Sequence, residues 1–479
     1  MEQAGQLQFA PPRGTAILLL MAGAQFMVVV DESVVNVALP SIAGDLGLDT
    51  GSLSWVVNAY LLFLGGFLLL SGRLADLLGR RRLFLAGLAL FAVASAVCGQ
   101  AGSGSELTGA RAVQGLGAAL MSPTALSILT TTFQDQAGRR RAVAVWGALL
   151  GLGATSGVLL GGVIVEYLSW PWIFYVNVPI AIIIGIGTLL VVPGTREDSR
   201  AKVDVLGATL VTAASLLLVH TTIGVHELGI TDPATLVGFA ATAGLLAMFV
   251  IQQRHSTNRL VPREVTGSRT VRIADLCVVA VAVALFGAFF MITLWMQLVQ
   301  GWGPLRSGLS WAPQGLTLAL VSGIATKLMP IFGGRRLAFT GFLLAALAQL
   351  LFLRLSVDGD YATQLLPALL VNATGLGLLM VPLAVAALDG ISPQNQGVAS
   401  GLLATAQQLG GAVGLSALVS VAAARFDSQT SAGVAIAQAS VNSFHVVFLI
   451  SAVMLLAAAM LSLRLPALRQ QTDLADIVH

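Results

Sequence analysis

The chain is built from long, nearly uncharged apolar runs separated by short polar breaks. About 20 such residues are what an α-helix needs to cross the hydrocarbon core of a bilayer. Runs of this length, repeated along a whole chain, specify an all-α membrane protein. Composition agrees. Of 479 residues, 56% are hydrophobic and 10% are charged, against roughly 25% charged in soluble domains. That deficit excludes an ordinary water-soluble enzyme and a disordered chain. The 52 glycines follow no G-X-Y period, which excludes collagen.

Fourteen spans are expected, over 15–42, 53–71, 83–101, 108–131, 142–164, 172–193, 205–224, 233–252, 273–298, 307–327, 337–356, 362–388, 398–423 and 442–463. The first contains Asp31 and Glu32 and is too long for a signal-peptide core, so it reads as a membrane helix. An even count puts both termini on one side. With this count, 21 of the 25 Lys and Arg residues fall on that side, in loops such as Arg80–Arg82, Arg139–Arg141 and Arg335–Arg336. Positive loops stay cytoplasmic, so both termini are expected there, in a bacterial plasma membrane.

The net charge of +3 is scattered between apolar runs and makes no basic face, so no nucleic acid is expected. Cys98 and Cys277 lie in separate apolar runs and give neither a disulfide framework nor metal spacing. The five histidines are dispersed, and no H-E-x-x-H or G-x-S-x-G run occurs, so neither metal nor serine chemistry is expected. No Walker motif occurs, so no ATP-driven step is expected of this chain. No cofactor is expected.

One pattern repeats. Arg73-Leu-Ala-Asp-Leu-Leu-Gly79-Arg-Arg-Arg82 joins the second and third spans. Lys327-Leu-Met-Pro-Ile-Phe-Gly333-Gly-Arg-Arg336 joins the tenth and eleventh. Each sets a cation six residues before a glycine and a basic pair two residues after it. Each would be the first inside loop of a six-helix half. Two parallel six-helix bundles with a site at their interface form a transporter plan. The expected division is 1–195, a six-helix bundle; 196–260, two added linking helices; and 261–479, a second six-helix bundle.

These residues resemble the fourteen-helix drug:proton antiporter branch of the major facilitator superfamily. Four segments carry the resemblance: Asp31-Glu-Ser-Val-Val-Asn36-Val-Ala-Leu-Pro40, Gly72-Arg-Leu-Ala-Asp76-Leu-Leu-Gly79-Arg-Arg81, Arg111-Ala-Val-Gln114-Gly115 and Gly153-Ala-Thr-Ser-Gly157-Val-Leu-Leu-Gly161-Gly162. The run Trp170-Pro-Trp172-Ile-Phe-Tyr-Val-Asn177-Val-Pro179 also resembles the branch. Two positions depart from the pattern. Val158 stands where a proline is usual, and Pro330 stands where the first loop has Asp76.

Asp31, Glu32 and Arg111 are the candidate proton-coupling residues. Ionisable groups inside a membrane are costly and face a cavity or a partner. Burial favours the neutral acid, so such a carboxylate is suited to carry a proton. Neighbours on a helix lie about 100° apart, so the two acids cannot share a face. Gln25, Glu32 and Asn36 form one stripe, flanked by Asp31. The blander alternatives are a solvated acid at the outer interface and an Arg111 that snorkels to the surface. The resemblance implies that Gly72, Arg73, Asp76, Gly79 and Arg80 form a gating loop whose contacts hold one global state. The glycines Gly153, Gly157 and Gly161, with Gly162, form a small-residue ridge for close helix packing. The resemblance ties that ridge to export.

The second half is poor in buried charge. Asp275 and Asp389 read as interfacial. Candidate cavity residues are Gln25, Asn36, Asn58, Trp295, Gln297, Trp311, Gln314, Asn372, Gln407 and Gln408, with Phe286, Phe289, Phe290 and Met291 as an apolar wall. The expected function is proton-coupled export of a hydrophobic or amphipathic small molecule by alternating access. Its partners would be that molecule, protons and the bilayer. An importer, a lipid-flipping relative and a non-transporting membrane sensor remain as alternatives. Substrate identity and oligomeric state are not legible.

Overall fold

Lipid offers no hydrogen-bond partners, so each span must satisfy its own backbone, and the chain does this with helices. The computed structural model describes residues 11–133, 136–193, 204–256, 261–392 and 395–466. The helices are α1 (Pro11–Leu46), α2 (Thr50–Leu78), α3 (Arg80–Gly99), α4 (Gly104–Thr132), α5 (Gln136–Tyr167), α6 (Trp172–Tyr175), α7 (Asn177–Val191), α8 (Val205–Leu228), α9 (Pro233–His255), α10 (Arg263–Gly267), α11 (Arg269–Leu294), α12 (Pro304–Ser310), α13 (Ala312–Phe332), α14 (Gly334–Phe352), α15 (Leu366–Leu388), α16 (Gln396–Ser431) and α17 (Ile436–Ser462). Single π-helical turns continue α11 (Trp295–Val299) and lead into α15 (Tyr361–Leu365).

Among the described residues, twelve helices are long and apolar enough to cross a membrane, not the fourteen expected. The difference falls on α5 and α8. Both are long, at 32 and 24 residues. Their described apolar stretches are shorter, at Thr155–Tyr167 and Thr209–Val225. These are the lengths of the described stretches alone; in sequence, residues 142–164 and 205–224 carry no Asp, Glu, Lys or Arg.

Helices α1 and α5 pack together, as do α2, α3 and α4, with α7 closing over α1 and α3. Later in the chain, α11 packs on α16 and α17, and α15 packs on α13 and α14. The two sets meet along two seams, α2 with α16 and α5 with α12 and α13. Helix α8 lies against α2 and α16 and forms a hairpin with α9. Asp204 ties the base of that hairpin, accepting from Gly207 N at 2.8 Å and Gln252 Nε2 at 2.7 Å.

The sequence repeat reappears as geometry. Gly79 ends α2 and starts α3 at φ 86°, and Gly333 ends α13 and starts α14 at φ 80°. Only glycine takes that conformation without strain. Arg81 then closes one end of α7, donating to Leu189 O at 2.8 Å. Eight residues past each turn, a second glycine lets two backbones touch. A Cβ on Gly117 of α4 would lie 2.6 Å from Phe91 N and 2.9 Å from Gly87 O. A Cβ on Gly375 of α15 would lie 2.6 Å from Ala345 N and 2.7 Å from Gly341 O. These turns define a near end of the bundle; the α1–α2 turn at Gly47–Asp49 marks the far end.

At the near end, α10 clips onto the α15–α16 loop. Glu264 accepts from Ser392 N at 2.7 Å and Ser392 Oγ at 2.8 Å. The Ser392 backbone donor, together with the Asn395 and Ser392 side chains, holds the Glu264 carboxyl below its usual range.

Two outcomes follow from this packing. Gly117→Val and Gly375→Val are each expected to lower stability by about 1–3 kcal/mol through overpacking against backbone, read as a lower melting temperature in detergent. A carboxylate held low contributes its stabilisation above the unfolded-state pKa and loses it as pH falls through the folded value. The α10 clip is therefore expected to open on acidification. The protection factors of the Ile391, Ser392 and Asn395 amides, corrected for the intrinsic exchange rate at each pH, should fall at low pH in wild type but not in Glu264→Gln.

Candidate ion-pair site and inter-bundle seam

Asp31, midway along α1, is fully buried among α1, α2, α3, α4 and α7. Its Oδ2 lies 2.7 Å from Arg111 NH1, with both side chains almost completely withdrawn from solvent. Its Oδ1 accepts from Gln114 Nε2 at 2.8 Å and Asn177 Nδ2 at 2.7 Å. Arg111 donates further through Nε to Val56 O at 3.0 Å and through NH1 to Gln114 Oε1 at 2.7 Å. Its guanidinium lies 4.1 Å from the Tyr60 ring centroid, where the π-face adds attraction. Gln114 also donates to Ser95 Oγ at 2.8 Å, bringing in α3.

This is how a buried charge pair survives. Desolvation is offset only when Coulomb attraction is joined by hydrogen bonds to the remaining donors and acceptors. Every polar atom of the Asp31 carboxylate is engaged here. Arg111 therefore does not snorkel to the surface. A proton placed on Asp31 would remove the anion that three donors converge on, leaving Arg111 with Val56 O, Gln114 Oε1 and the Tyr60 ring.

Glu32 faces the other way, as the 100° step requires. It is half-buried at the seam, where Gln408 Nε2 of α16 donates to its Oε2 at 3.5 Å. The expected stripe holds in part. Asn36 lies one turn on and donates to the Glu32 backbone carbonyl at 3.1 Å. Gln25 is buried, with Oε1 lacking a hydrogen-bond partner.

Other candidate residues divide by position. Asn58 Nδ2 donates across the α2–α16 seam to Ser416 Oγ at 2.9 Å, leaving its buried Oδ1 without a partner. Gln297 Nε2 reaches α1 at Val37 O, 2.9 Å. Trp311 stacks edge-on against Phe289, and its indole N–H has no partner, nor does Gln314 Oε1. Asn372 is buried and Gln407 is half-buried. Trp295 is fully enclosed and donates to Ser356 O at 3.1 Å, so it braces the far-end loop. Phe290 and Met291 are likewise core. Asp389 is exposed, as an interfacial residue should be, but Asp275 is half-buried with Oδ1 enclosed.

The glycine ridge lies against the acid-bearing helix. Cβ atoms on Gly153, Gly157 and Gly161 would meet Val29, Val30 and Val34 of α1. Gly162 faces the second set instead, with Pro304 O 2.8 Å from a Cβ built there. Gly308 answers it from α12, 2.6 Å from Val158 O. With Glu166 accepting from Leu305 N at 3.4 Å, the α5–α12 seam is closed at the far end. Along α13 from its far end to its middle, Leu316, Leu320 and Ile324 are exposed. Of the gating loop, the side chains of Arg73 and Asp76 lie outside those described. Gly72 has open space beside its Cα, Gly79 makes the turn, and Arg80 starts α3. An open far-end cavity of about 590 Å³ includes Asp45 and Trp170 in its lining, and these two already bond each other at 2.8 Å. It lies roughly 15–20 Å along α1 from Asp31, away from the acids.

The Major Facilitator Superfamily model matches residues 21–415. The chain belongs to the major facilitator superfamily. The cephamycin export protein of Amycolatopsis lactamdurans is 38% identical over 471 residues, covering 97% of this chain and 95% of that protein. The puromycin resistance protein of Streptomyces alboniger is 36% identical over 413 residues, covering 86% and 82%. A bacterial homologue of the human lysosomal transporter Spinster, inward-facing and occupied, superposes with TM-score 0.68 at 15% identity, covering 95% and 97%. That likeness shows the fold alone.

Within this facilitator fold, sequence reasoning brought out Asp31 and Arg111 and missed the groups that hold them. Gln114 stands three residues after Arg111, on the same helix face, which is a usable signal. Asn177 was quoted in a branch-like run without a role. Tyr60 and Ser95 sit in apolar stretches with nothing to mark them.

Arg111→Met is expected to destabilise the protein by about 3–5 kcal/mol, because Asp31 is left buried and unpaired. Asp31→Asn added to Arg111→Met should recover part of that loss. Equal and additive losses in a melting double-mutant cycle would contradict the pairing.

Proposed function

We propose that this chain exports hydrophobic or amphipathic small molecules, antibiotics among them, in exchange for protons by alternating access. Asp31 inside the first bundle carries the proton, with Arg111 as the charge it competes for. Glu32 and its neighbours at the seam face the transported molecule. The observation that carries this reading is the placement of two adjacent acids. One is sealed in a cation-paired network, and the other lies at the seam between bundles. Protonation of Asp31 would loosen α1 from α4, and α1 also bears Glu32, so the two events share one rigid helix.

Further support is of a coarser kind. The relatives named above are an antibiotic export protein and an antibiotic resistance protein. The polar atoms without partners on Gln25, Asn58, Gln314 and Gln408 offer hydrogen bonds, and only Glu32 among these residues offers charge. That set suits an amphiphile with few charges. Closure of the α5–α12 seam at the far end fits an inward-facing state. In this reading α5 and α8 also span, giving fourteen helices. Residues 1–195 and 261–479 are the bundles, 196–260 links them, and both termini are cytoplasmic in a bacterial plasma membrane. The Gly72–Arg80 loop gates the near end.

The test is substrate-induced proton release from acidified inverted vesicles, across cationic, neutral and anionic amphiphiles. Wild type should respond to at least one class. Asp31→Asn should insert normally and lose the response. Unchanged proton-coupled export by Asp31→Asn at equal expression would overturn the assignment.

A further inference from the structure

The second bundle holds an acid within a membrane helix, Asp275, that the preceding mechanism leaves idle. Asp275 sits in α11, three residues beyond Arg272 and so about 4.5 Å deeper into the membrane. It is half-buried, and its Oδ1 is enclosed without a hydrogen-bond partner. A buried carboxylate oxygen without a donor is costly, and an ionisable group inside the membrane is a functional feature by default.

Among the described residues, the helices packed around it supply no counter-ion. Helices α15, α16 and α17 pack on α11. Helix α15 has no charged residue, and α16 has none before Arg425. Helix α17 carries only His445, toward the far end, where Nε2 meets Leu355 O at 2.9 Å. On α10, Arg263 is exposed, and Glu264 is held by Ser392. On α11 itself, Arg269 and Arg272 are exposed at the membrane edge. The charged residues of α1 near its middle are Asp31, paired with Arg111, and Glu32.

Register shows where Asp275 leads. Helices α11 and α16 run parallel in tight contact. A Cβ on Gly410 would lie 3.0 Å from Val279 Cγ1, and one on Gly414 would lie 2.8 Å from Val283 Cβ. One turn back on both helices, Asp275 comes level with Ala406 and Gln407. The same stretch of α16 carries buried, unpartnered Thr405 Oγ1 and Gln408 Oε1. Gln408 is the residue that donates to Glu32. Asp275 thus faces α16 at the level of Thr405 and Gln407, and the same turn of α16 carries Gln408, on its α2-facing side, to Glu32 at the seam.

We infer that Asp275 is a second proton-binding site of the transporter, at the near-end mouth of the path and distinct from the Asp31–Arg111 pair. It takes a proton on its carboxylate and gives it back on the same side, so the path near α16 stays neutral while an amphiphile passes. The inference rests on the export reading for its role but not for the binding event. Binding is therefore measured without transport.

The experiment is an infrared pH titration of the purified full chain in lipid nanodiscs, following the carboxylic-acid C=O stretch, for wild type, Asp275→Asn and Asp31→Asn. Asp275→Asn should lose one titrating carboxyl band that Asp31→Asn retains. Identical bands in wild type and Asp275→Asn would overturn the inference. In vesicles, Asp275→Asn should shift the pH profile of export while still exporting, and Asp275→Glu should restore it. Loss of the band with an unshifted profile would place the proton off the path and also overturn the inference. If wild type transports no protons at all, the antiport reading fails while the band comparison still decides whether Asp275 binds one.

Discussion

The fold is organised around a charge pair that water cannot reach. Asp31 and Arg111 come from helices far apart in sequence, and α2, α3 and α7 contribute to the cage around them. In a low-dielectric interior such a pair is tolerated only if each remaining donor and acceptor is met. That requirement fixes more than two side chains. It sets the rotation of α1, and with it the direction of Glu32. It sets the depth of α4 through Arg111 and Gln114, and it brings Asn177 of α7 over α1. The first bundle is assembled around this one buried pair.

The seam is built by other means. Small residues, not charges, let α5 approach both α1 and α12. Neutral amides bridge the halves at Asn58–Ser416 and Gln297–Val37. Hydrogen bonds between neutral groups are weak in net terms, on the order of 1 kcal/mol each. Two acids also meet neutral donors across the seam, Glu32 at Gln408 and Glu166 at Leu305 N, but no ion pair among the described residues crosses it. The ion pair stays inside one bundle, so rocking of the halves does not require its separation.

Sequence carried the large features because lipid imposes them. Apolar length marks spans, and an acid in such a run stands out, so Asp31, Glu32 and Arg111 were legible. The Gly79 and Gly333 turns were legible because a left-handed corner needs glycine. Partners were harder to read. Tyr60 and Ser95 have no signature in an apolar helix, and Trp295 looked like a cavity wall while serving the core. Asp275 read as interfacial because its position, one turn inside Arg272, marks the edge of the membrane. Only the register of α11 on α16 reveals that it faces inward. The span count is left open at α5 and α8, whose described apolar stretches are shorter than the helices that contain them.

The glycines of α5 bear on how such a protein can change over generations. Positions 153, 157 and 161 touch the stretch of α1 that holds both acids, and each lacks room for even one added carbon. Heritable variation in what the protein carries is thereby channelled away from α5. It is left to the half-buried faces of α13 and α16, where a side chain can grow or shrink without moving a backbone. Selection for a new cargo would write its record there, while the ridge stays unaltered beneath it.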